Sequence, residues 1–210
     1  MNPDIPEKLL KPYNPAETEN RWYQKWEAEN YFSPDGRGEV FSMVLPPPNV
    51  TGTLHMGNAL MLAIEDVMVR YARMTGKRTL WIPGTDHAAI ATQIKVEKLL
   101  QKEGLRKQDL GRKKFLQRVD AFAKASHDVI IKQIRLMGCS IDWSREAFTL
   151  DETRSRAVRE AFKRMYDAGL IFRGYRIVNW DPKGQTTISD DEIVYEKRPT
   201  TLYTFRYAKD

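Results

Sequence analysis

The sequence contains one cysteine, Cys139, among 210 residues. A single cysteine cannot form an internal disulfide and gives no metal-ligand spacing, which excludes a disulfide-stapled secreted domain and a cysteine-based zinc site. We therefore expect a cytoplasmic protein, kept in a reducing compartment, in which Cys139 is a small buried apolar residue.

Long apolar runs are absent as well. No run approaches the roughly 20 residues that a membrane-spanning helix requires, and residues 1–15 lack the apolar centre of a signal peptide. The hydrophobic fraction is 41% and the charged fraction is 30%, which is typical of a globular protein without a membrane partner. A chain of 210 residues can bury the core of one domain and part of a second.

Neither sign of charge dominates. The chain has 34 basic and 28 acidic residues, a net charge of +6, which permits binding to a polyanion without requiring it. Basic residues cluster at 106–118 and at 154–164, and each cluster can contact RNA phosphates without sequence preference. For either cluster alone, a solvated helix face is the favoured interpretation.

Residues 40–60 read VFSMVLPPPNVTGTLHMGNAL and organise the rest of the chain. The opening apolar run, as far as Leu45, is typical of a buried strand. Three prolines then end it, because they lack the N–H donors of a sheet ladder. From Asn58 onward, apolar residues recur at intervals of three and four and predict one face of a helix. That face comprises Leu60, Met61, Ile64, Val67, Met68 and Tyr71.

The start of this helix is suited to binding phosphate. The first turn of a helix carries unpaired N–H groups, and the nearby glycines allow an anion to approach the backbone. His55 and Asn58 are three residues apart and can direct donors to the same oxygens, where they stabilise charge that develops in a transition state. His55, Met56, Gly57 and Asn58 form a His-x-Gly-x tetrad. For this tetrad alone, the favoured interpretation is a local hydrogen-bonding histidine and an ordinary Asn58 N-cap.

A second strand is predicted at 78–82, after a helix stop at Gly76. A strand, helix and parallel strand leave their loops at the same edge of the sheet. We therefore expect loops 46–58 and 83–87 to lie together, with Asp86 near the phosphate loop. Its carboxylate suits the ammonium group of an amino acid, and it is also a candidate N-cap for a helix at 88–103.

Four sequence blocks change the interpretation of the tetrad. The stretch PPPNVTGTLHMGNAL resembles the first signature of the class I aminoacyl-tRNA synthetases, in the form used by the valyl-tRNA synthetase family. Further blocks follow in the order that this family has. They are WIPGTDHAAIATQ at 81–93, IDWSRE at 141–146, and VNWDP at 178–182 with ISD at 188–190.

The resemblance implies an α/β fold, the first half of a doubly wound, Rossmann-like parallel sheet. It also implies three parts: a lead-in and helix at 1–36, the first half of the catalytic nucleotide-binding domain at 37–190, and the start of an inserted editing domain at 191–210. The segment Asp142 to Arg145 would belong to the scaffold, through packing and ion pairing. No metal site is predicted at 181–185, where some family members carry cysteines.

The resemblance also assigns site residues. It implies ATP binding by Thr53, His55, Gly57 and Asn58, with His55 and Asn58 in the catalytic role. It implies amino-acid binding by the carbonyl of Pro46, by Asn49 and by Asp86. Two positions depart from the family pattern. Asn58 replaces a histidine and cannot carry positive charge, and Ala89 replaces a glycine.

By resemblance, the activity is ATP-dependent activation of valine and its transfer to tRNA(Val), with Mg²⁺ accompanying ATP and a monomeric full-length enzyme. The Lys-Met-Ser-Lys-Ser signature does not occur in the sequence, so we expect the 210-residue piece alone to be inactive or very weak. Three alternatives remain open: an isoleucyl-tRNA synthetase fragment, a non-catalytic tRNA-binding fragment, and a small nucleotidyltransferase.

The remaining elements follow from periodicity. A helix at 17–30 is expected to bury Trp22 and Trp26, and a long helix is expected at 112–137, ending at Gly138. Asp151 is a candidate cap for a helix that ends near Gly169. Strands are predicted at 170–180, with Gly174 as a bulge, and at 200–207, where apolar and polar residues alternate.

Overall fold

A computed structural model of the protein describes residues 12–35 and 38–208. The predicted lead-in therefore lies largely outside the described residues. The chain divides into two compact units, one ending at Ala161 and the other beginning at Phe162. This division differs from the boundaries expected at 36/37 and 190/191, which stay predictions. Among the described residues, no helix is both long enough and apolar enough to span a bilayer.

The first unit alternates helices with short strands. In chain order its elements are α1 (Pro15–Ala28), β1 (Val40–Val44), α2 (Met56–Met74), β2 (Arg78–Ile82), β3 (Gly84–Thr85), α3 (Ala89–Lys102), α4 (Lys107–Leu136) and β4 (Ala147–Phe148). Helix α5 (Glu152–Asp167) follows and continues past the end of the unit.

The predicted strand, helix and parallel strand are confirmed. β1 pairs with β2 in parallel, from Val40 opposite Arg78 to Val44 opposite Ile82. Gly76 ends the intervening helix with φ of +80°, a conformation that favours glycine. β3 pairs with β4, also in parallel, so both ladders of this unit leave their loops at the carboxyl ends of strands.

The core lies under one face of β1 and β2. Phe41 and Met43 of β1 point toward it, and each fully buried aliphatic side chain contributes about 1.5–3 kcal/mol. The cluster is formed by Leu45, Val50, Leu62, Val69, Trp81, Ala123, Ile130, Ile134, Cys139 and Ile141. The prediction that Cys139 is buried is confirmed.

The other face of β1 is open, which corrects the prediction of a fully buried strand. Val40 and Val44 are 57% and 65% exposed because the described residues cover only one side of the sheet. The predicted apolar face of α2 is exposed for the same reason, except for Met61, which is half-buried and packs on the core. Leu62 and Val69 are buried instead, on a different side of the helix. We refer to the exposed stripe as the outer face of α2, comprising Met56, Leu60, Ile64, Val67, Tyr71 and Met74.

Helix α4 confirms the long helix predicted at 112–137. It begins five residues earlier, and its ladder is broken at Gly111, where φ is +71° and ψ is 163°. The helix ends at Leu136, before Gly138. Its apolar side packs on the main core and, with α3, on a second cluster of Val96, Leu100, Phe115 and Val119.

Helix α1 is attached by a tyrosine rather than by the predicted tryptophan. Tyr23 is buried, and its hydroxyl donates to the Cys139 carbonyl at 2.7 Å. The same hydroxyl accepts from Nε1 of Trp143 at 2.7 Å. Trp22 is exposed, which corrects its expected place in the core, and Trp26 is half-buried.

The second unit, as far as residue 208, contains one small hairpin. β5 (Trp180–Asp181) pairs antiparallel with β6 (Thr186–Thr187), and the Asp181 carboxylate accepts from two backbone N–H groups in the turn. The strands predicted at 170–180 and 200–207 are wrong, apart from Trp180, which is the first residue of β5. Within the described residues they have no neighbouring strand to complete a ladder, and Leu202 and its apolar neighbours are exposed.

Candidate active site

The loop after β1 leaves the sheet at the three prolines and then rejoins the core. Pro48 and Val50 are buried, whereas Asn49 between them is exposed. The end of the loop is anchored to α4, because the Leu54 N–H donates to Oε1 of Gln133 at 2.8 Å. The loop is thus fixed on both sides of Asn49.

Asp86 lies beside this loop, as the parallel arrangement predicts. Asn49 and Asp86 form a parallel bridge. The Val50 N–H donates to the Asp86 carbonyl, and the Asp86 N–H donates to the Pro48 carbonyl, both at 2.8 Å. Two segments that are far apart in sequence therefore present a side-chain amide and a carboxylate at one edge of the sheet.

The carboxylate of Asp86 is held by neighbours. Its Oδ1 accepts from the Thr149 hydroxyl at 2.8 Å and from the Ala88 N–H at 3.1 Å. Thr149 in turn accepts from the His87 N–H at 2.9 Å. Asp86 is not the N-cap of α3, which corrects that expectation: Ala88 occupies the N-cap position, and no side chain of the described residues caps the helix. A carboxylate fixed in this way suits a cationic ligand.

His55 is the N-cap of α2, and Asn58 stands at the third helical position. This corrects the expectation of an Asn58 N-cap. Nδ1 of His55 accepts from the Asn58 N–H at 3.3 Å, and Oδ1 of Asn58 accepts from the His55 N–H at 3.2 Å. The pair forms a capping box. Because Nδ1 accepts, Nε2 of the neutral ring carries the proton and is the donor available to a ligand.

Two further features make the start of α2 accessible to an anion. The first turn contains no acidic residue, so no side-chain carboxylate offsets the partial positive charge of the helix end. A Cβ added at Gly57 would lie 3.0 Å from Cε1 and Nδ1 of His55. Glycine at this position therefore leaves room for the imidazole.

The predicted site residues form two groups. One contains Asn49 and Asp86, and the other contains His55, Gly57 and Asn58 at the start of α2. Pro46 and Thr53 are exposed positions of the loop that connects β1 to α2. The substrate roles of all seven residues stay predictions. No cluster of three or more potential metal ligands occurs among the residues that the structure describes.

Sequence reasoning missed two residues near Asp86. Thr149 binds its carboxylate, and the ring of His127 lies between Thr85 and Glu146, at 2.9 Å from the Thr85 hydroxyl and 3.1 Å from Oε1 of Glu146. Neither residue lies in a sequence motif that would have identified its role. Thr149 follows a strand of two residues, and His127 lies within a long amphipathic helix.

Comparisons with known proteins identify relatives of the chain. Residues 21–205 match a family model described as tRNA synthetases class I (I, L, M and V). A valine–tRNA ligase of Thermotoga maritima is 50% identical over 201 residues, which make up 95% of this chain and 23% of that protein. A valine–tRNA ligase of Carboxydothermus hydrogenoformans is 54% identical over 197 residues, covering 93% of this chain and 22% of the relative. The chain thus spans less than a quarter of the length of these curated relatives.

A solved structure supports the fold. It is the ternary complex of the Agrobacterium radiobacter K84 agnB2 LeuRS with tRNA and LeuAMS, with a TM-score of 0.73 at 23% sequence identity. The match covers 87% of this chain and 22% of that one. Together with the parallel ladders of the first unit, the likeness confirms the predicted α/β, Rossmann-like fold.

Proposed function

The chain belongs to the class I tRNA synthetase family of the isoleucine, leucine, methionine and valine enzymes, and from this premise we propose that it is the leading part of a valine–tRNA ligase. The enzyme activates valine with ATP, which carries Mg²⁺, to valyl-adenylate and pyrophosphate, and then transfers the valyl group to tRNA(Val). It acts in the cytoplasm, where its tRNA is used, and as a monomer. Valine is the proposed substrate because the relatives at about 50% identity carry that name.

The observation that carries the proposal is the bridge between Asn49 and Asp86. This backbone bridge places Asn49, in the loop that ends at His55, beside Asp86, whose carboxylate is held by Thr149 and Ala88. His55 is the N-cap of α2. An amino acid presents an ammonium group and a carboxylate, whereas ATP presents phosphates. The first suits Asp86, and the second suits the positive end of a helix.

In the proposed chemistry, a carboxylate oxygen of valine attacks the α-phosphorus of ATP. The new O–P bond replaces the bond to pyrophosphate, which leaves. Nε2–H of His55, the amide of Asn58 and the first N–H groups of α2 stabilise the developing charge. A tRNA hydroxyl then attacks the valyl carbonyl and displaces AMP. No bond to the enzyme forms, so catalysis relies on orientation and charge.

The decisive measurement is valine-dependent ATP–pyrophosphate exchange by the full natural chain that carries these residues. Asp86→Asn keeps the shape of the side chain but removes the charge that faces the ammonium group. We expect kcat/KM for valine to fall on the order of a hundredfold. Asp128→Asn is the matched control, since it makes the same change at an exposed position of α4. Equal effects of the two substitutions would contradict the assignment of Asp86.

The same assay separates the alternatives. Greater kcat/KM for isoleucine than for valine would favour an isoleucine enzyme, although a pocket separates substrates that differ by one methylene only by roughly ten- to two-hundredfold. Exchange that depends on an acid other than an amino acid would favour a small nucleotidyltransferase. An open reading frame that continues past residue 210 to a Lys-Met-Ser-Lys-Ser sequence would support the proposal. A stop codon at that point would contradict the proposal that the chain is the leading part of a longer enzyme.

A fragment that only binds tRNA is less favoured, because part of the basic cluster at 106–118 is already paired. Arg106 bonds to Asp109, and Lys107 bonds to Glu97 at 2.9 Å. Salt-sensitive tRNA binding without any valine-dependent exchange would nevertheless favour that alternative.

A further inference from the structure

His127 lies in α4, and each ring nitrogen contacts a residue of another segment. Nδ1 lies 2.9 Å from the Thr85 hydroxyl, and Nε2 lies 3.1 Å from Oε1 of Glu146. Because a carboxylate only accepts, Nε2 carries a proton, and in the neutral ring Nδ1 accepts the proton of the Thr85 hydroxyl. The imidazole therefore joins α4 to β3, which contains Thr85, and to the residue that directly precedes β4.

The ladder between these two strands is short, and the contacts that hold it are few. β3 and β4 contain two residues each, with Gly84 opposite Ala147 and Thr85 opposite Phe148. A ladder this short offers few hydrogen bonds, and a slip of one residue would turn every side chain to the opposite face. A contact that ties Thr85 of β3 and Glu146, just before β4, to a third element therefore adds to the few contacts that hold the alignment.

The alignment of the strands sets the geometry of the Asp86 carboxylate. Asp86 directly follows β3, and Thr149 directly follows β4, so correct register brings their side chains together. The Thr149 N–H donates to the Thr85 carbonyl at 3.2 Å, and its hydroxyl donates to Asp86 at 2.8 Å. A displacement at Thr85 is thereby transmitted to the carboxylate in two short steps.

A hydroxyl, an imidazole and a carboxylate in line also resemble a nucleophilic triad. The Thr85 residue is fully buried, with 0% exposure, so its hydroxyl cannot reach a substrate carbonyl. We propose instead that His127 is a positioning residue for amino-acid binding: it holds Thr85 and Glu146 so that Asp86 keeps the orientation that receives the substrate ammonium group. This inference rests on the proposed function.

The surroundings of the ring support a fixed orientation. The rings of His127 and His87 each lie 6.1 Å from the ring of Phe148, centroid to centroid. All three border a cavity of about 470 Å³ that Lys124 and Asp151 also line. Phe148 is thus packed between the two histidines, one on α4 and one next to Asp86.

The test compares three substitutions at His127 in the full natural chain. His127→Ala removes both contacts, His127→Asn retains an acceptor near Thr85, and His127→Gln retains a donor toward Glu146. We expect His127→Ala to raise KM for valine about tenfold while KM for ATP changes by less than about twofold. His127→Asn should restore most of the affinity for valine, because Thr85 adjoins Asp86.

A second readout does not depend on activity. In His127→Ala, amide hydrogen exchange should accelerate by about tenfold at Thr149 and His87, whose N–H groups depend on the β3–β4 register. The matched control is Ile131→Ala, which truncates a buried apolar residue of the same helix and removes no hydrogen-bonding group. It should lower stability without changing either KM or the exchange at these two amides.

The outcomes are distinguishable. An unchanged KM for valine together with unchanged amide hydrogen exchange in His127→Ala would overturn the inference. The inference would also be overturned if Ile131→Ala raised the KM for valine and accelerated amide hydrogen exchange to the same extent. A wild-type chain without valine-dependent exchange would reject the proposed function, and the hydrogen-exchange arm would still decide whether His127 positions Asp86.

Discussion

The Thr149 hydroxyl donates a hydrogen bond of 2.8 Å to Oδ1 of Asp86, although 63 residues separate the two in sequence. The same hydroxyl accepts from the His87 N–H at 2.9 Å. One side chain on the β4 side thus fixes both the carboxylate and the backbone of the facing segment.

Thr149→Val should weaken amino-acid binding, because it keeps the shape of the side chain but leaves the Asp86 carboxylate and the His87 N–H without this partner. We expect KM for valine to rise about three- to tenfold in ATP–pyrophosphate exchange, which corresponds to the loss of one hydrogen bond. Thr149→Ser retains the hydroxyl and serves as the control. Unchanged KM in Thr149→Val would show that Asp86 is oriented by other contacts.

Asn58→His should leave adenylate formation equal or faster. A histidine can retain an acceptor for the His55 N–H and adds a group that can carry positive charge near the phosphates. Single-turnover formation of the adenylate measures the effect. Asn58→Ala and Gly57→Ala are the comparisons and should both slow the step, the first by removing a donor and the second by crowding the His55 ring. A severe loss in Asn58→His would mean that this pocket acts differently.

Stability should fall at alkaline pH because of the Cys139 thiol. Burial raises its pKa from 9.0 to about 12. Below pH 9 the thiol is neutral in both states, whereas between pH 9 and about 12 only the unfolded chain ionises, so the free energy of unfolding decreases as pH rises. Urea unfolding at several pH values should show this slope, and Cys139→Ala should reduce it. A slope that Cys139→Ala leaves unchanged would assign the effect to other groups.

Ala89→Gly should stabilise the protein. Ala88 and Ala89 have φ of +54° and +32°, and an L-residue with a side chain is strained in that region by about 1–2 kcal/mol. Glycine relieves the strain but loses more entropy on folding, so we expect a net gain of about 0.5–1 kcal/mol in the free energy of unfolding. Ala91→Gly, the same change inside α3, should lower it by a similar amount. A loss of stability in both variants would contradict the strain argument.

The outer face of α2 should make the 210-residue chain self-associate when it is purified alone. Leu60 and Tyr71 are 64% and 68% exposed and belong to a continuous apolar stripe. In the double variant Leu60→Lys with Tyr71→Lys, the sedimentation coefficient and the binding of a hydrophobic dye should both decrease, with no loss of helix content. Ala125→Lys, a change to the same residue type at an exposed position of α4, is the control and should change neither.

The β1–α2–β2 unit could be predicted because its signals are local. Three prolines end the first strand, Gly76 ends the helix, and periodicity identifies both element types. The parallel topology of this unit then predicts that the loops of Asn49 and Asp86 lie together, and the two residues form a bridge. The strands expected at 170–180 and 200–207 failed because alternation describes a segment that can join a sheet, whereas a strand also needs a neighbour.

Other features depend on contacts that no local pattern reveals. Periodicity identified an apolar stripe on α2 but not which side of the helix the described chain covers. Thr149 and His127 matter because of residues that lie 63 and 42 positions away. Such pairings become visible only when the fold has brought distant segments together, and this part of the site therefore required the structure.

The hydrogen bond from Tyr23 to the Cys139 carbonyl spans 116 residues, which has a consequence for synthesis. A ribosome that adds about 5–20 residues per second needs roughly 6–23 s to make the partner after the tyrosine has been incorporated. During that interval α1 has no access to its native anchor. This helix is translated well before the segment that anchors it, so the nascent chain carries the aromatic side chains of α1 without that anchor throughout the interval.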